Sequence, residues 1–209
     1  VVMLDPPWRL KGGQRNSESQ LMFSNNRFSL NYDTLSNQEI MNIKVESLSR
    51  KGFCFLWILN SQMKIGYEML NHWGYEVVDQ IVWVKTKNEK VYVSHGWYFL
   101  HSTESCLVGY KCPPREQLEY KSRVSNNLIF SDVRKKSQKP EEIYEIIDQM
   151  LPGGKKIELF ARNNNLRPGW FSLGNQLGQL YDGWVNVLDC DECGEKIMFG
   201  VHRYKSRRE

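Results

Sequence analysis

The sequence predicts an α/β fold built on a mainly parallel central sheet flanked by helices. Apolar runs such as Gly52–Leu59 are continuous rather than alternating, as in strands buried on both faces. Such runs alternate along the chain with segments of helical period, the order that strand–helix–strand crossovers need. With 41% hydrophobic and 12% aromatic residues over 209 positions, there is material for one full core and a small appendage.

Taken in order, Val1–Asp5 reads as a buried strand that ends on a polar residue. Pro6–Leu35 is rich in Gly, Asn, Ser and Arg and is too long for an ordinary connection, so it is either disordered or a lid over a site. Ser36-Asn37-Gln38-Glu39 has capping-box form and should start a helix through about Arg50. Gly52–Leu59 is the next strand, and Gln62–His72 a helix stopped by Gly74. Val77–Val84, Glu104–Lys111 and the shorter Asn127–Val133 follow as strands. Lys139-Pro140 opens the clearest helix: Ile143, Ile146, Ile147 and Met150 fall on one face, and Pro152-Gly153-Gly154 ends it. Lys156–Ala161 is a further buried strand. Residues 1–188 are thus expected to form the catalytic domain and 189–209 a peripheral hairpin or tail.

Five cysteines without framework spacing point to a reducing compartment, cytosol or nucleus. The net charge of +4 is compatible with an anionic partner. No apolar run approaches the roughly 20 residues that span a bilayer, so no membrane partner is expected. The chain opens directly on the strand-like Val1-Val2-Met3-Leu4, as a segment of a longer protein would.

The residues that carry chemistry are Asp5-Pro6-Pro7-Trp8. In open α/β sheets ligands bind outside the carboxyl ends of the strands, and Asp5 sits at such an end. The two prolines cannot continue a ladder and hold a stiff, extended turn. Asp5 and the carbonyl of Pro6 would then point into one cleft as two acceptors, with Trp8 a flat face beside them. That geometry suits the exocyclic amine of adenine, a poor nucleophile because its lone pair is delocalised into the ring. Two acceptors on its two N–H groups favour the pyramidal amine and free that pair. The base must leave the duplex to be reached, and Trp8 would stack on it. The alternative is that the four residues are a rigid turn and nothing more.

At these residues the chain resembles the MT-A family of N6-adenine methyltransferases. The resemblance covers nearly the whole chain. It runs through Asp5–Trp8, Tyr32-Asp33-Thr34-Leu35-Ser36, Phe55-Leu56-Trp57, Trp73-Gly74-Tyr75-Glu76, Trp83-Val84-Lys85-Thr86, Cys106-Leu107-Val108-Gly109, Lys139-Pro140, Lys156–Arg162 and Leu173–Leu177. It implies a Rossmann-like class I methyltransferase fold of permuted order, with the catalytic strand early and the cofactor strand late, and S-adenosylmethionine as cofactor. It further implies that Asp5 is catalytic and lies near the cofactor's methionine part, with Pro6, Pro7 and Trp8 around it and Tyr32 on the active-site loop. Phe160, Arg162 and Asn165 would hold adenosine and ribose, and Asn175 and Gln176 would make further cofactor contacts. On residue type alone, Phe160 reads as core, and Asn175 and Gln176 as loop or capping residues. The expected partners are an adenine-containing DNA or RNA, a catalytically inactive paralogue in a heterodimer, and further DNA-binding subunits. The segment between Trp8 and Tyr32 is longer than in the family's mRNA enzymes. This turns the expectation towards DNA, as in the ciliate DNA-methylating branch, and towards the nucleus.

Lys11, Arg15 and Arg27 share that segment with Phe23 and Phe28, an interleaving of basic and aromatic residues suited to nucleic-acid contact. Arg134-Lys135-Lys136 reads as a solvated face. Cys190 and Cys193 have zinc-type spacing with His202 downstream, but a fourth ligand is wanting beyond Cys112. No metal is expected, and the pair reads as a hairpin turn.

Overall fold

The computed structural model describes residues 1–9, 34–94, 98–135, 137–174 and 177, and the backbone of 187–189 and 196–198. The strands are β1 (Val2–Leu4), β2 (Gly52–Ile58), β3 (Glu76–Lys87), β4 (Lys90–Val91), β5 (Thr103–Lys111), β6 (Leu128–Asp132), β7 (Lys156–Leu159), β8 (Trp170–Leu173), β9 (Val187–Asp189) and β10 (Lys196–Met198). The helices are α1 (Asn37–Met41), α2 (Val45–Leu48), α3 (Met63–His72) and α4 (Glu142–Met150).

All strands join one sheet in the order β4-β3-β5-β2-β1-β7-β8-β10-β9, with β6 paired to β3. The middle of the sheet, β2-β1-β7-β8, is parallel throughout. β5 lies antiparallel between β2 and β3, so β3 points the same way as β1, and β6 follows it in parallel. The antiparallel step arises because β3 turns back directly at Asn88-Glu89. Both residues have left-handed φ, 52° and 64°, as a tight hairpin turn requires. At the other edge β10 pairs with β8 and β9 with β10, so this hairpin extends the main sheet, and the 188/189 division falls inside β9.

Helices cover both faces. On one, Val2, Leu4, Cys54, Leu56 and Ile58 pack under Met69 and Leu70 of α3 and Ile40 and Val45 of α1 and α2. On the other, Met3, Phe53, Phe55 and Trp57 pack under Ile143, Tyr144 and Ile147 of α4. Alternate residues of β1 and β2 thus feed opposite cores, which is why these strands read as unbroken apolar runs.

The expected helix from Ser36 to Arg50 is two short ones. The capping box forms, with Ser36 N–H donating to Glu39 Oε2 at 2.7 Å, but α1 stops at Met41 and the chain re-enters α2 after a turn closed by Val45 N–H on Ile43 O at 2.8 Å. A continuous helix would place Ile40 and Val45, five positions apart, on different faces. The break lets both reach full burial in the same core.

Close packing of β5 on the α3 side leaves no room at Gly109, where a Cβ would lie 2.8 Å from Tyr75 Cβ and 3.1 Å from Leu70 Cδ2. Gly109→Ala is expected to lower stability by about 1–3 kcal/mol. Urea denaturation checks this, with a falling midpoint at unchanged slope.

Candidate active site

β1 lies between β2, which the chain reaches from it through α1 and α2, and β7, which the chain enters from α4. In open α/β sheets ligands bind in a crevice outside the carboxyl ends of such central strands. Asp5 follows β1 directly and Phe160 follows β7, so the two expected ligand edges stand side by side there.

Asp5 is not a lone acceptor. Lys139 Nζ lies 2.8 Å from its Oδ1 and donates to Oδ2 at 2.9 Å. The same ammonium is 3.3 Å from Glu104 Oε2, and Glu104 Oε1 is 2.6 Å from Lys85 Nζ. Lys139 also stands 5.4 Å from the centre of the Trp57 ring, a cation–π contact. The Lys139 side chain is 10% exposed and that of Asp5 24%. The charges alternate in sign along the row Lys85, Glu104, Lys139, Asp5, so each buried charge has an opposite neighbour. Burial pushes the Asp5 carboxyl up and Glu104 adds to this, while Lys139 pulls it back. Burial works against charge on Lys139 as well, but Asp5 and Glu104 overcome it and hold the ammonium firmly protonated. Glu104 resists its own burial because Lys139 and Lys85 flank it, and its carboxyl is lowered.

The prolines do hold a tight turn, with Trp8 N–H donating to Pro6 O at 2.8 Å. The Pro6 carbonyl therefore spends one lone pair on its own chain and keeps one for a ligand. Pro7 O accepts Leu35 N–H at 2.9 Å, and Arg9 N–H donates to Leu35 O at 3.1 Å, which fastens the motif to the residue ahead of α1. Trp8 differs from the open stacking face expected of it. Its side chain is packed in the core with Leu4 and Leu56, the residue is 6% exposed, and its indole N–H donates to Trp57 O at 3.1 Å. Buried there and bonded to β2, it locks the turn in place.

Across the crevice Phe160 adopts φ 64°, a left-handed conformation that strains a bulky side chain by of order 1–3 kcal/mol. The kink directs the chain into the short 3₁₀ turn Asn163–Asn165, closed by Asn165 N–H on Arg162 O at 2.8 Å and by Arg162 N–H on Asn165 Oδ1 at 3.2 Å. Asn165 Nδ2 donates to Tyr144 OH at 2.6 Å and to Glu158 Oε1 at 2.8 Å, and Tyr144 OH donates to the same oxygen at 2.9 Å. Glu158 Oε2 finds no hydrogen-bond partner among the described residues, a buried polar atom next to the turn expected to hold ribose. That fits a ligand with hydroxyls, which donate to a carboxylate and accept from a protonated carboxyl. Gly174 brings the following segment against this turn: a Cβ there would lie 2.1 Å from Ala161 O.

Asp5, Pro6, Pro7, Phe160, Arg162 and Asn165 are thus gathered at one edge. Tyr32, Lys11, Arg15, Arg27, Asn175 and Gln176, like Cys190, Cys193 and His202, lie outside the described residues. Among the described residues no group of three or more His, Cys, Asp or Glu is placed to hold a metal ion. Lys85, Glu104, Lys139 and Glu158 were not expected at the site. Glu104 and Glu158 stand beside or inside apolar strand runs, and such embedded carboxylates are the signal that points to them.

A mixed α/β sheet with a parallel centre and helices on both faces, a carboxylate after an early strand and a polar turn after a late one define a Rossmann-like methyltransferase fold of permuted order. The chain belongs to the MT-A70 family, whose model matches residues 1–176. It is 38% identical over 194 residues to the human N(6)-adenosine-methyltransferase catalytic subunit METTL3, covering 91% of this chain and 29% of that protein. It is 37% identical over 180 residues to a putative N(6)-adenosine-methyltransferase MT-A70-like protein of Medicago truncatula, covering 85% of this chain and 26% of that one. It is 30% identical over 176 residues to the non-catalytic subunit METTL14 of Drosophila melanogaster, covering 76% of this chain and 44% of that protein. The chain therefore spans less than a third of the catalytic relatives it matches.

Burial pushes the Glu158 carboxyl up from its ordinary value of 4.5 to about 8, against the pull of Tyr144, Arg167 and Asn165. A carboxyl raised on folding binds more protons in the native state. Its contribution to stability is full below pH 4.5 and is lost as pH rises through about 8. Glu158→Gln keeps the acceptor for Tyr144 and Asn165 and removes the titration. It is expected to flatten the fall in stability between these limits and to be the more stable protein at pH 9, about one unit above that pKa, as urea melts at pH 5, 7 and 9 would show.

Proposed function

We propose that the protein is the catalytic subunit of an S-adenosylmethionine-dependent methyltransferase that modifies the N6 amine of adenine in nucleic acid. The observation that carries this is the position of Asp5, at the diverging ends of β1 and β7, fixed by Lys139 and followed by a Pro6 carbonyl with one lone pair to give. When bound, S-adenosylmethionine supplies a methyl group made electrophilic by a sulfonium. Phe160, Arg162 and Asn165 form the edge that would hold its adenosine part. Asp5 and Pro6 O accept the two N–H groups of the amine and so direct its lone pair outward. Lys139 keeps Asp5 from swinging away, and most of the rate comes from this positioning. The proton shed by the amine passes to an Asp5 oxygen, whose hold on it burial strengthens.

Within this reading, DNA is the proposed substrate and the nucleus the proposed place of action. The length of the segment from Trp8 to Tyr32, greater than in the family's mRNA enzymes, supports a substrate other than theirs. The names of the relatives, N(6)-adenosine-methyltransferases, favour RNA as the second reading. A paralogue as partner is supported by Tyr98, Phe99 and Leu100, which are 87%, 80% and 66% exposed in succession between β4 and β5. A run of large apolar side chains so open to water marks a contact surface. The likeness to a Drosophila melanogaster protein named as the non-catalytic subunit METTL14 supports a partner from the same family.

Transfer of labelled methyl groups to matched DNA and RNA oligonucleotides, with and without such a partner, tests the proposal. The product is expected to be N6-methyladenine, formed faster on DNA. Asp5→Ala is expected to lower kcat on the order of 10²–10³-fold, the range for losing one preorganised polar group. Full activity of that variant on every substrate would overturn the mechanism, and faster transfer to RNA would overturn the choice of DNA.

A further inference from the structure

A second row of charges joins the two halves of the crevice from outside. Arg167 begins it on the cofactor side. Its Nε donates to the backbone oxygen of Asn165 at 3.1 Å, its guanidinium lies 3.2 Å from the centre of the Tyr144 ring, and its side chain is 17% exposed. Its Nη1 reaches Glu141 Oε2 at 2.6 Å. The other oxygen of Glu141 takes Arg134 Nη1 at 2.8 Å, and Arg134 Nη2 donates to the carbonyl of Lys139. Lys139 holds Asp5.

Glu141 is therefore a carboxylate whose two oxygens are held by two arginines, one tied to the turn after β7 and one to the residue that grips Asp5. It sits two positions after Lys139, immediately ahead of α4. Both arginines hold its carboxyl below the ordinary value against the effect of partial burial, so the bridge is fully charged at neutral pH. Arginine's planar fork resists rotation once its donors are engaged, so movement at one end displaces the other. A ligand that shifted or stiffened Asn165 would act on Arg167 through that bond, and through Glu141 on the peptide that carries Lys139.

We propose that Glu141 couples occupancy of the cofactor side to the placement of Asp5, so that cofactor and adenine strand bind cooperatively. Glu141 is a positioning residue, acting through Arg134 and Lys139. The proposal rests on the methyltransferase reading above, because it takes the two sides of the crevice as cofactor and substrate sides. Coupling of this kind is reciprocal, and either ligand strengthens the other by one common factor, typically 5–150-fold.

The test is calorimetric titration of S-adenosylhomocysteine, which cannot react, into the full-length protein with its partner, alone and saturated with an adenine-containing oligonucleotide. The wild type is expected to bind at least about five-fold tighter with the oligonucleotide present. Glu141→Gln is expected to bring that ratio to within about two-fold of unity, while the affinity for S-adenosylhomocysteine alone changes little. A residue that only stabilised the fold would shift the melting temperature and leave the ratio alone. Arg134→Gln cuts the same row at another point and is expected to give the same loss, with the double variant no worse than either single one. It also decides the matter should the Glu141 variant fail to fold. A wild-type ratio near unity, or a ratio that survives both substitutions, would overturn the proposal and leave the methyltransferase reading intact. A wild type that bound no S-adenosylhomocysteine would overturn both.

Discussion

The site is organised by one buried cation. Lys139 places its ammonium between the carboxylates of Asp5 and Glu104, under the ring of Trp57, with little access to water. An unpaired charge in such a place would be costly, and removing one partner of a buried pair destabilises by about 3–5 kcal/mol. The requirement acts in both directions. Lys139 stays charged because two carboxylates face it, and Asp5 keeps its orientation because the ammonium spans both of its oxygens. Glu104 in turn depends on Lys85, so a residue on β3 helps to set the charge balance at the end of β1.

The sheet makes that arrangement possible. Parallel packing of β2-β1-β7-β8 sends the carboxyl ends of β1 and β7 to one edge. Helix α4 covers the face on which Met3 and Trp57 lie, and its leading segment brings Lys139 and Glu141 across the crevice. Trp8 anchors the opposite face by its bond to Trp57 O. Strain at Phe160 and the orphaned oxygen of Glu158 mark the other wall, where a buried polar atom has no partner among the described residues. Both walls are joined by hydrogen bonds and ion pairs to α4 or the segment ahead of it, so this helix is the shared mount of the two half-sites.

Most of the strands were legible in the sequence because burial on both faces leaves unbroken apolar runs, as in Gly52–Leu59 and Lys156–Ala161. Asp5-Pro6-Pro7-Trp8 was legible because its two prolines admit few conformations. The break between α1 and α2 was not, since it depends on where Ile40 and Val45 must point once the sheet exists. Nor was the inward turn of Trp8, which depends on a carbonyl of β2. The row of charges was hidden by distance along the chain: Lys139 and Asp5 are 134 residues apart, and nothing local to Lys139-Pro140 distinguishes a helix start from a buried counter-ion.

The working of the site depends on the pairing of Lys139 with Asp5. The most direct measurement is single-turnover methyl transfer at saturating cofactor by Lys139→Met, Asp5→Asn and the double variant. If the two residues act as a unit, each single variant slows the chemical step on the order of 10²-fold or more, and the double variant is no slower than the worse of the two. Wild-type rates in Lys139→Met, or losses that simply multiply in the double variant, would contradict it.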